Sequence, residues 1–401
     1  MRNDHGVATT SAELRAHNLA RLLRAVHDGG GQSTRAELTR QLGLARGTAT
    51  VLVRELAARR LITELAPSEP PSAQRARGRP TGVPSANSEG PLALAVDLRD
   101  DSFVTAVFEL TGRGMVLDSQ ERGTRDGRKF LAQVAANLRK HRRALDGRVV
   151  GTGVAVPSPL RAGRMVQPTL DDWKDVDVAH ALHASVGNDA TLAGLAEARR
   201  GVLRGIPVAL HLHAATGIGG VLLTGGQPAI GALGSAGEFG HMPLAGGDEP
   251  CQCGATGCWE QYAGARGLLR EAGLPPEQGD RMLIAARVIG SDAGALKRVA
   301  AALGRGIGAL VNAHDPAAVS LSGLAAAVLT AAPEQVNDAY HGALMRFRRF
   351  APPALLPSAL GDLGPLTGAA ELVFDGFLTA RGLAAWTPPN PNLVNCAIDP
   401  L

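Results

Sequence analysis

Three cysteines and a histidine lie close together in one short stretch of the chain. Cys251, Cys253 and Cys258 fall within eight residues, and His241 precedes the first of them by ten positions. Three thiols and one imidazole form a ligand set that tetrahedral zinc takes in closed structural sites. The glycines between Cys253 and Cys258 allow the backbone to turn tightly enough to bring the sulfurs to one ion. The sequence therefore predicts a structural zinc site.

Two other interpretations of the cysteines are weaker. A loop with chance cysteines is one, but three of the chain's four cysteines fall in this stretch. Disulfides are the other. Cys251 and Cys253 are too close to pair comfortably, and the remaining pair would be Cys258 and the distant Cys396.

A second group of polar residues has the chemistry of a sugar-binding site. Each sugar hydroxyl both donates and accepts, so burying a sugar requires amide and carboxylate partners. Zinc on one nitrogen of His241 would leave the other free to face a ligand. For Asn188 and Asp189 alone, a helix cap is the preferred explanation. The candidate effector residues are Asn188, Asp189, Glu238, His241 and Glu260.

Positive charge is concentrated at the N-terminal end of the chain. Residues 1–90 carry 13 Arg, no Lys and 8 acidic residues, a net charge of +5, whereas the remainder carries 28 basic and 29 acidic residues, a net charge of −1. This division predicts a nucleic-acid partner for the N-terminal part and a neutral partner for the rest. With 45% apolar and 19% charged residues, and without an apolar run that would form a signal sequence or membrane span, we expect a cytoplasmic protein.

The first 66 residues have the pattern of a winged helix-turn-helix. A helix around Leu19 to Val26 ends at a run of glycines, and a second begins at Thr34, with Glu37 completing a capping box. A third helix is predicted from about Ala45 to Arg60, and in such units it enters the major groove. An ordinary small helical bundle is the alternative. The predicted DNA contacts in this region are Arg35, Arg46, Thr48, Thr50 and Arg54.

Residues 67–90 are predicted to be a Pro- and Arg-rich linker that includes the return strand of the wing. Leu61 to Leu65 would begin that wing. The linker contains a short basic run with Arg77 and Arg79. Contact with a DNA minor groove and a solvated basic linker are equally good explanations of this run.

Beyond residue 90, strand and helix patterns alternate, which predicts an α/β body. We expect one lobe over 91–187 and a second over 188–401, which holds the zinc site and ends in a C-terminal helix that could return to the first lobe. Thr216 to Gly220 form a glycine-rich turn between two predicted strands. Such a turn can cradle a phosphate, or it can be a tight hairpin without a ligand.

Several of these motifs, in this order and spacing, resemble the ROK family of repressors, open reading frames and kinases. They are Val186 to Ala190, Thr216 to Gly220, Glu238 to His241 and the cysteine cluster. The N-terminal module is similar to the winged helix of the family's repressors. The resemblance implies a two-lobed, actin-like and sugar-kinase-like body. It also implies that the effector residues named above hold a sugar, and that zinc is bound by His241, Cys251, Cys253 and Cys258.

The chain departs from the family's kinases at the first strand end. The kinases have a phosphate loop with two glycines there, whereas this chain has Asp97-Leu98-Arg99-Asp100-Asp101. Side chains occupy the place where backbone would approach phosphate, and two aspartates add like charge. Asp189 matches the general base of the kinases, but we interpret it as a vestigial position and predict no enzyme activity.

These observations predict a DNA-binding transcriptional regulator, a repressor, that senses a sugar or sugar derivative. A helix-turn-helix protein usually binds a palindrome, so we expect a homodimer or a dimer of dimers. Two alternatives stay open. One is an ATP-dependent sugar kinase with an added DNA-binding module. The other is a regulator that has lost sugar sensing, because Ser158 and Thr169 replace residues common in the family.

Overall fold

The computed structural model describes residues 10–65, 82–161, 164–165, 176–244, 247–275 and 281–389. Arg77, Arg79, Thr169 and Cys396 lie outside these ranges. Within the described chain, no helix is both long and apolar enough to cross a membrane.

The N-terminal module consists of three helices followed by a two-stranded antiparallel ribbon. Its elements are α1 (Ser11–Asp28), α2 (Arg35–Gln41), α3 (Arg46–Ala58), β1 (Ile62–Leu65) and β2 (Val83–Ala86). The predicted capping box is present, because the Thr34 hydroxyl accepts the Glu37 N–H and Glu37 accepts the Thr34 N–H. β2 lies within residues 67–90 and pairs with β1, in the place where the return strand of the wing was expected.

The first lobe is built on a five-stranded mixed sheet. Its elements are β3 (Leu92–Leu98), β4 (Ser102–Glu109), β5 (Gly114–Glu121), α4 (Gly127–Ala144), β6 (Val149–Val156), β7 (Leu160–Arg161), β8 (Arg164–Met165), α5 (Val178–Leu182) and β9 (Ser185–Asn188). The strand order is β5-β4-β3-β6-β9, and β7 and β8 form a separate small ribbon. All seven residues of β3 are buried, as expected for a central strand covered on both faces.

The second lobe repeats this plan around another five-stranded sheet. Its elements, in chain order, are α6 (Asp189–Arg200), β10 (Val208–Ala214), β11 (Ile218–Thr224), β12 (Gln227–Pro228), α7 (Glu260–Ala263), α8 (Ala265–Glu271), α9 (Arg281–Ser291), α10 (Ala293–His314), β13 (Ala318–Gly323), α11 (Leu324–Ala331), α12 (Pro333–Ala343), β14 (Ala354–Pro357), α13 (Gly364–Phe377) and α14 (Ala380–Ala385). The strand order is β12-β11-β10-β13-β14. The prediction of an α/β body is confirmed.

Two helices join the lobes to each other and to the N-terminal module. α6 packs on β10 and β11 of the second sheet, and α13 packs on α6 and on β3 and β6 of the first sheet. A single hydrophobic cluster contains Leu22 of α1, Phe374 of α13 and Trp386 after α14. The C-terminal helices therefore return to the first lobe and share their core with the N-terminal module.

Candidate functional site

The cysteine and histidine side chains converge on one point. His241 ends a 3-10 turn (Phe239–His241), and its Nδ1 lies 3.5 Å from Cys251 Sγ. Cys253 Sγ and Cys258 Sγ are 3.6 Å apart, and all four ligand atoms lie within 4.8 Å of one another. Two sulfurs bound at about 2.3 Å to a tetrahedral ion are about 3.8 Å apart. The donor set and its spacing therefore fit zinc.

The loop that carries the cysteines depends on glycine at two positions. Gly254 has φ of +93° and Gly257 has φ of +72°, in the left-handed region that side chains disfavour. A Cβ on Gly257 would also lie 2.5 Å from the Gly247 carbonyl oxygen. The three cysteines of this loop are free thiols, so no disulfide competes with the metal there.

Asn188 and Asp189 form the start of α6. The Asn188 side-chain oxygen accepts the Thr191 N–H at 3.0 Å, which makes Asn188 the N-cap. Its amide group donates to the Ser158 carbonyl oxygen at 3.4 Å and to Asp189 Oδ1 at 3.1 Å. The helix-cap explanation for Asn188 therefore holds, and the half-buried Asp189 is the first residue of the helix.

Asp189 lies in a strongly acidic environment. Burial, followed by the negative charge of Asp97, raises the pKa of Asp189 to about 8, while the hydrogen bond from the Ala190 N–H acts in the opposite direction. Glu238 and Asp100 contribute further negative charge. The carboxyl group is therefore largely protonated near neutral pH, and it can donate as well as accept a hydrogen bond.

Glu238, His241 and Glu260 are neighbours beside the metal ligands. His241 Nε2 lies 3.7 Å from Glu238 Oε2, on the side of the ring away from the cysteines. Glu260 Oε1 lies 3.8 Å from His241 Nδ1 and 3.4 Å from Cys251 Sγ. The structure thus brings the three predicted side chains together. His241 Nδ1 faces the thiols, and His241 Nε2 faces Glu238.

The glycine-rich turn between β10 and β11 contacts side chains of this protein. A Cβ on Gly217 would lie 2.6 Å from Glu260 Oε2, so the carboxylate closely approaches the backbone of this turn. The Thr216 hydroxyl donates to Asp100 Oδ2 of the first lobe at 2.8 Å. The turn therefore contacts one carboxylate of each lobe.

The first strand end is a tight turn closed by its own side chains. The Arg99 N–H donates to the Ser102 carbonyl oxygen at 2.9 Å, and Arg99 Nε donates to Asp97 Oδ2 at 2.8 Å. Burial raises the pKa of Asp97, and the neighbouring Arg99 lowers it in part. An ion pair between Arg99 and Asp97 therefore lies at this turn, and Asp100 accepts a hydrogen bond from Thr216 of the second lobe.

The side chains predicted to contact DNA differ in their solvent exposure and in their contacts within the module. Arg46, Thr48 and Arg54 are exposed on α3. Thr50 is half-buried, and its hydroxyl donates to the Arg46 carbonyl oxygen at 3.0 Å. Arg35 Nη1 lies 3.5 Å from Glu64 Oε1 of β1, so part of its charge is paired within the module.

Four buried or half-buried charged residues escaped the sequence analysis. They lie where α1, α6 and α13 meet, and they are Arg199, Arg200, Glu371 and Asp375. The only signal available was the arginine pair at the end of a predicted helix, because the acidic partners lie 171 to 176 positions further along the chain.

The ROK family model matches residues 93–375. This chain belongs to the ROK family. The xylose repressor of Bacillus subtilis (strain 168) is 23% identical over 364 residues, covering 86% of this chain and 92% of that protein. Kanosamine kinase of Amycolatopsis mediterranei is 33% identical over 153 residues, covering 36% of this chain and 50% of the kinase. The prediction of the family is thus confirmed.

Solved ROK structures share the fold. A ROK-family transcriptional regulator, described as a homologue of the E. coli MLC protein, superposes with a TM-score of 0.70 at 20% identity and covers 91% of this chain and 98% of that one. A Streptomyces griseus ROK glucokinase in complex with glucose and AMPPNP gives a TM-score of 0.62 at 23% identity and covers 71% of this chain. This regulator structure thus covers more of the chain than the glucokinase structure does.

Proposed function

We propose that this ROK-family protein is a transcriptional repressor whose DNA binding responds to a sugar or sugar derivative. One structural observation carries the proposal. A helical module exposes Arg46, Thr48 and Arg54 on α3. It is joined to a ROK body in which side chains, those of Arg99 and Asp100, occupy the turn after β3, where the kinases have their phosphate loop. The similarity to a xylose repressor, which extends over most of both chains, supports the same conclusion.

In this proposal the N-terminal module binds operator DNA through α3. Its exposed arginines would contact bases and phosphates, and β1 and β2 would form the wing beside them. Arg35, paired with Glu64, would contribute less charge than Arg46 or Arg54. The operator would be a palindrome bound by a homodimer or by a dimer of dimers.

The effector would bind at the N-terminus of α6 and beside the metal ligands. Asn188 and Asp189 would contact it from one side, and Glu238, His241 and Glu260 from the other. Zinc held by His241, Cys251, Cys253 and Cys258 would stabilise the loop and fix the imidazole orientation, so that Nε2 faces Glu238 and the ligand. The protonated Asp189 would donate to a sugar hydroxyl or ring oxygen.

Phosphoryl transfer from ATP to a sugar is the alternative function, because Asp189 matches the general base of the kinases and several relatives are kinases. The raised pKa of Asp189 does not argue against this reaction, because a general base works best with a pKa near the working pH. The argument against it is that the kinases need backbone close to phosphate, whereas here the side chains of Arg99 and Asp100 occupy that turn. We therefore expect no ADP formation with ATP and D-xylose, D-glucose or kanosamine.

The proposal is tested by selecting genomic DNA fragments with the purified protein at one fixed salt concentration, with and without these three sugars. A few palindromic fragments that a sugar releases support a sugar-responsive repressor. Recovery of no specific fragment, together with sugar-dependent ADP formation, would replace the proposal with the kinase. Glu238→Ala should abolish the sugar effect without changing DNA selection by the free protein, and Glu334→Ala, exposed on α12, is the matched control.

A further inference from the structure

A buried charge cluster joins the last turn of α6 and α13 to α1 of the DNA-binding module. Glu371 of α13 is 1% exposed, and its two oxygens accept from Arg199 Nη1 at 3.0 Å and Arg200 Nε at 2.8 Å. His27, the penultimate residue of α1, is also 1% exposed, and its Nε2 lies 3.0 Å from the same carboxylate. Three helices distant in sequence therefore meet at one carboxylate.

Asp375, one turn further along α13, forms a second connection. Its carboxylate accepts two hydrogen bonds from Arg199, both at 2.9 Å, and one from Arg24 of α1 at 2.8 Å. The bidentate pair fixes the direction of the Arg199 guanidinium as well as its distance. Two separate carboxylates of α13 thus hold the end of α6 and the end of α1 together.

The end of α6 also contacts the backbone of α1 directly. Arg200 Nη1 donates to the His27 carbonyl oxygen at 2.7 Å, and Arg204 Nη2 donates to the Asp28 carbonyl oxygen at 2.9 Å. These carbonyls belong to the last turn of α1, where helical partners are missing and cations are favoured. The position of α1 therefore depends on where α6 ends.

The other end of α6 is the proposed effector site. Asn188 caps the helix and Asp189 is its first residue, whereas Arg199 and Arg200 are its last two. Twelve helical residues span about 18 Å, so one rigid element joins the two places. A ligand that binds Asn188 and Asp189 and displaces the start of α6 would also displace Arg199 and Arg200 at its end.

Close packing makes α6 and α13 a single unit. A Cβ on Gly368 of α13 would lie 2.0 Å from the Leu192 carbonyl oxygen, so the two backbones touch. On its other side, a Cβ on Gly194 of α6 would lie 2.2 Å from Val221 Cγ1 of β11. Helices packed this closely shift together rather than deform.

A second contact between the body and the N-terminal module lies at the C-terminal end of α3. Trp386 Nε1 donates to the carbonyl oxygen of Arg59, the C-cap of α3, at 2.9 Å. The Trp386 ring also packs edge-on against Phe377 of α13, with centroids 6.0 Å apart. Movement of α13 would therefore reach α3 as well as α1.

We propose that this α1–α6–α13 junction is the mechanical link through which a bound sugar changes operator binding, with Arg200 as its central positioning residue. The inference rests on the proposed function, because it assigns how the effector site and the DNA-binding module communicate. Sugar binding displaces the start of α6, and Arg200 passes that displacement to the last turn of α1. Trp386 carries the accompanying shift of α13 to α3.

The test compares the full-length protein with Arg200→Gln, using an operator fragment recovered by the protein itself. Operator Kd is measured at fixed salt, without sugar and with saturating D-xylose, D-glucose or kanosamine, and sugar Kd is measured by calorimetry. In Arg200→Gln, we expect a sugar Kd within about threefold of the wild type, while the ratio of operator Kd with and without sugar falls to within about twofold of one. A merely structural residue would not separate these two quantities.

Two further variants make the result independent of a folding defect. Arg200→Lys keeps the positive charge, but it lacks the planar guanidinium group that donates hydrogen bonds to both Glu371 and the His27 carbonyl oxygen. This variant should therefore lose part of the sugar response. Arg298→Gln removes an exposed arginine paired with Glu271 on the second lobe and should respond like the wild type. Zinc content and melting temperature of each variant establish that the body is intact.

The outcomes separate the inference from the proposed function. If Arg200→Gln and Arg200→Lys respond to sugar as strongly as the wild type, the junction is not the link, although the regulator remains. If the wild type itself does not respond to any of the three sugars, the proposed function fails first and the inference falls with it.

Discussion

Asp189→Asn should stabilise the folded protein near neutral and alkaline pH, although it removes a carboxylate from a functional position. The pKa of Asp189 is raised from 3.8 to about 8 by burial and then by Asp97. Between these two pH values the folded protein keeps a proton that the unfolded chain has lost. Stability contributed by this group is therefore complete below the unfolded pKa and declines as pH rises towards the folded pKa.

The size of the stabilisation follows from the pH range between the pKa of Asp189 in the unfolded chain and its pKa in the folded protein. One titrating group changes the free energy of unfolding by about 1.4 kcal/mol per pH unit, so about four units set a ceiling of about 6 kcal/mol. Because the Asp189 side chain is only half-buried, water reduces this penalty, and we expect about 1–3 kcal/mol near pH 8. Asparagine avoids ionisation and can still accept the Ala190 N–H, which is bonded to Oδ1 at 2.7 Å.

The assay is guanidinium unfolding of the wild type and Asp189→Asn at about pH 5 and about pH 8, compared through the free energies of unfolding. The advantage of the variant should grow between the two pH values. Asp338→Asn, at an exposed position of α12, should show no such growth. A variant that is less stable than the wild type at about pH 8, or a difference independent of pH, would refute a raised pKa at Asp189.

Three further substitutions probe the other parts of the molecule. Cys253→Ser should release zinc and lower the melting temperature, and stoichiometric metal in the purified variant would contradict the ligand assignment. Arg46→Ala should weaken operator binding by about 1–3 kcal/mol and leave sugar binding intact, whereas loss of both would mean that α3 is not the DNA-binding element. Glu371→Gln should cost about 3–5 kcal/mol of stability, because it leaves Arg199 and Arg200 partly buried without their shared carboxylate; a loss below about 1 kcal/mol would show that the cluster is already well solvated.

Features encoded by neighbouring residues were predictable from the sequence. The capping box of Thr34 and Glu37 is a local pattern, and α2 begins where it predicts. The central strand β6 spans Val149–Val156, as its run of apolar and small residues indicates. The four zinc-site residues lie in one short segment, so their convergence needed no knowledge of the tertiary fold.

Features that depend on distant partners were not predictable in this way. A return strand of the wing was expected within residues 67–90, but its position at Val83–Ala86 is set by pairing with β1 and not by a local pattern. Asp100 was recognised as a charge unfavourable for nucleotide, but its bond to Thr216 spans 116 positions and required the two lobes to be placed. The same holds for Glu371, whose arginine partners come from another helix and whose histidine partner lies 344 positions away.

The central claim is that one chain couples a sugar site to sequence-specific DNA binding. Its most direct test is a fluorescence anisotropy titration, at fixed salt, of a recovered palindromic fragment and of an unrelated duplex of equal length, each with and without saturating sugar. The account predicts tighter binding to the palindrome by at least about 4 kcal/mol and weakening of that binding by sugar of about tenfold, or about 1.4 kcal/mol. Equal affinity for both duplexes, or an operator affinity that no sugar changes, would contradict it.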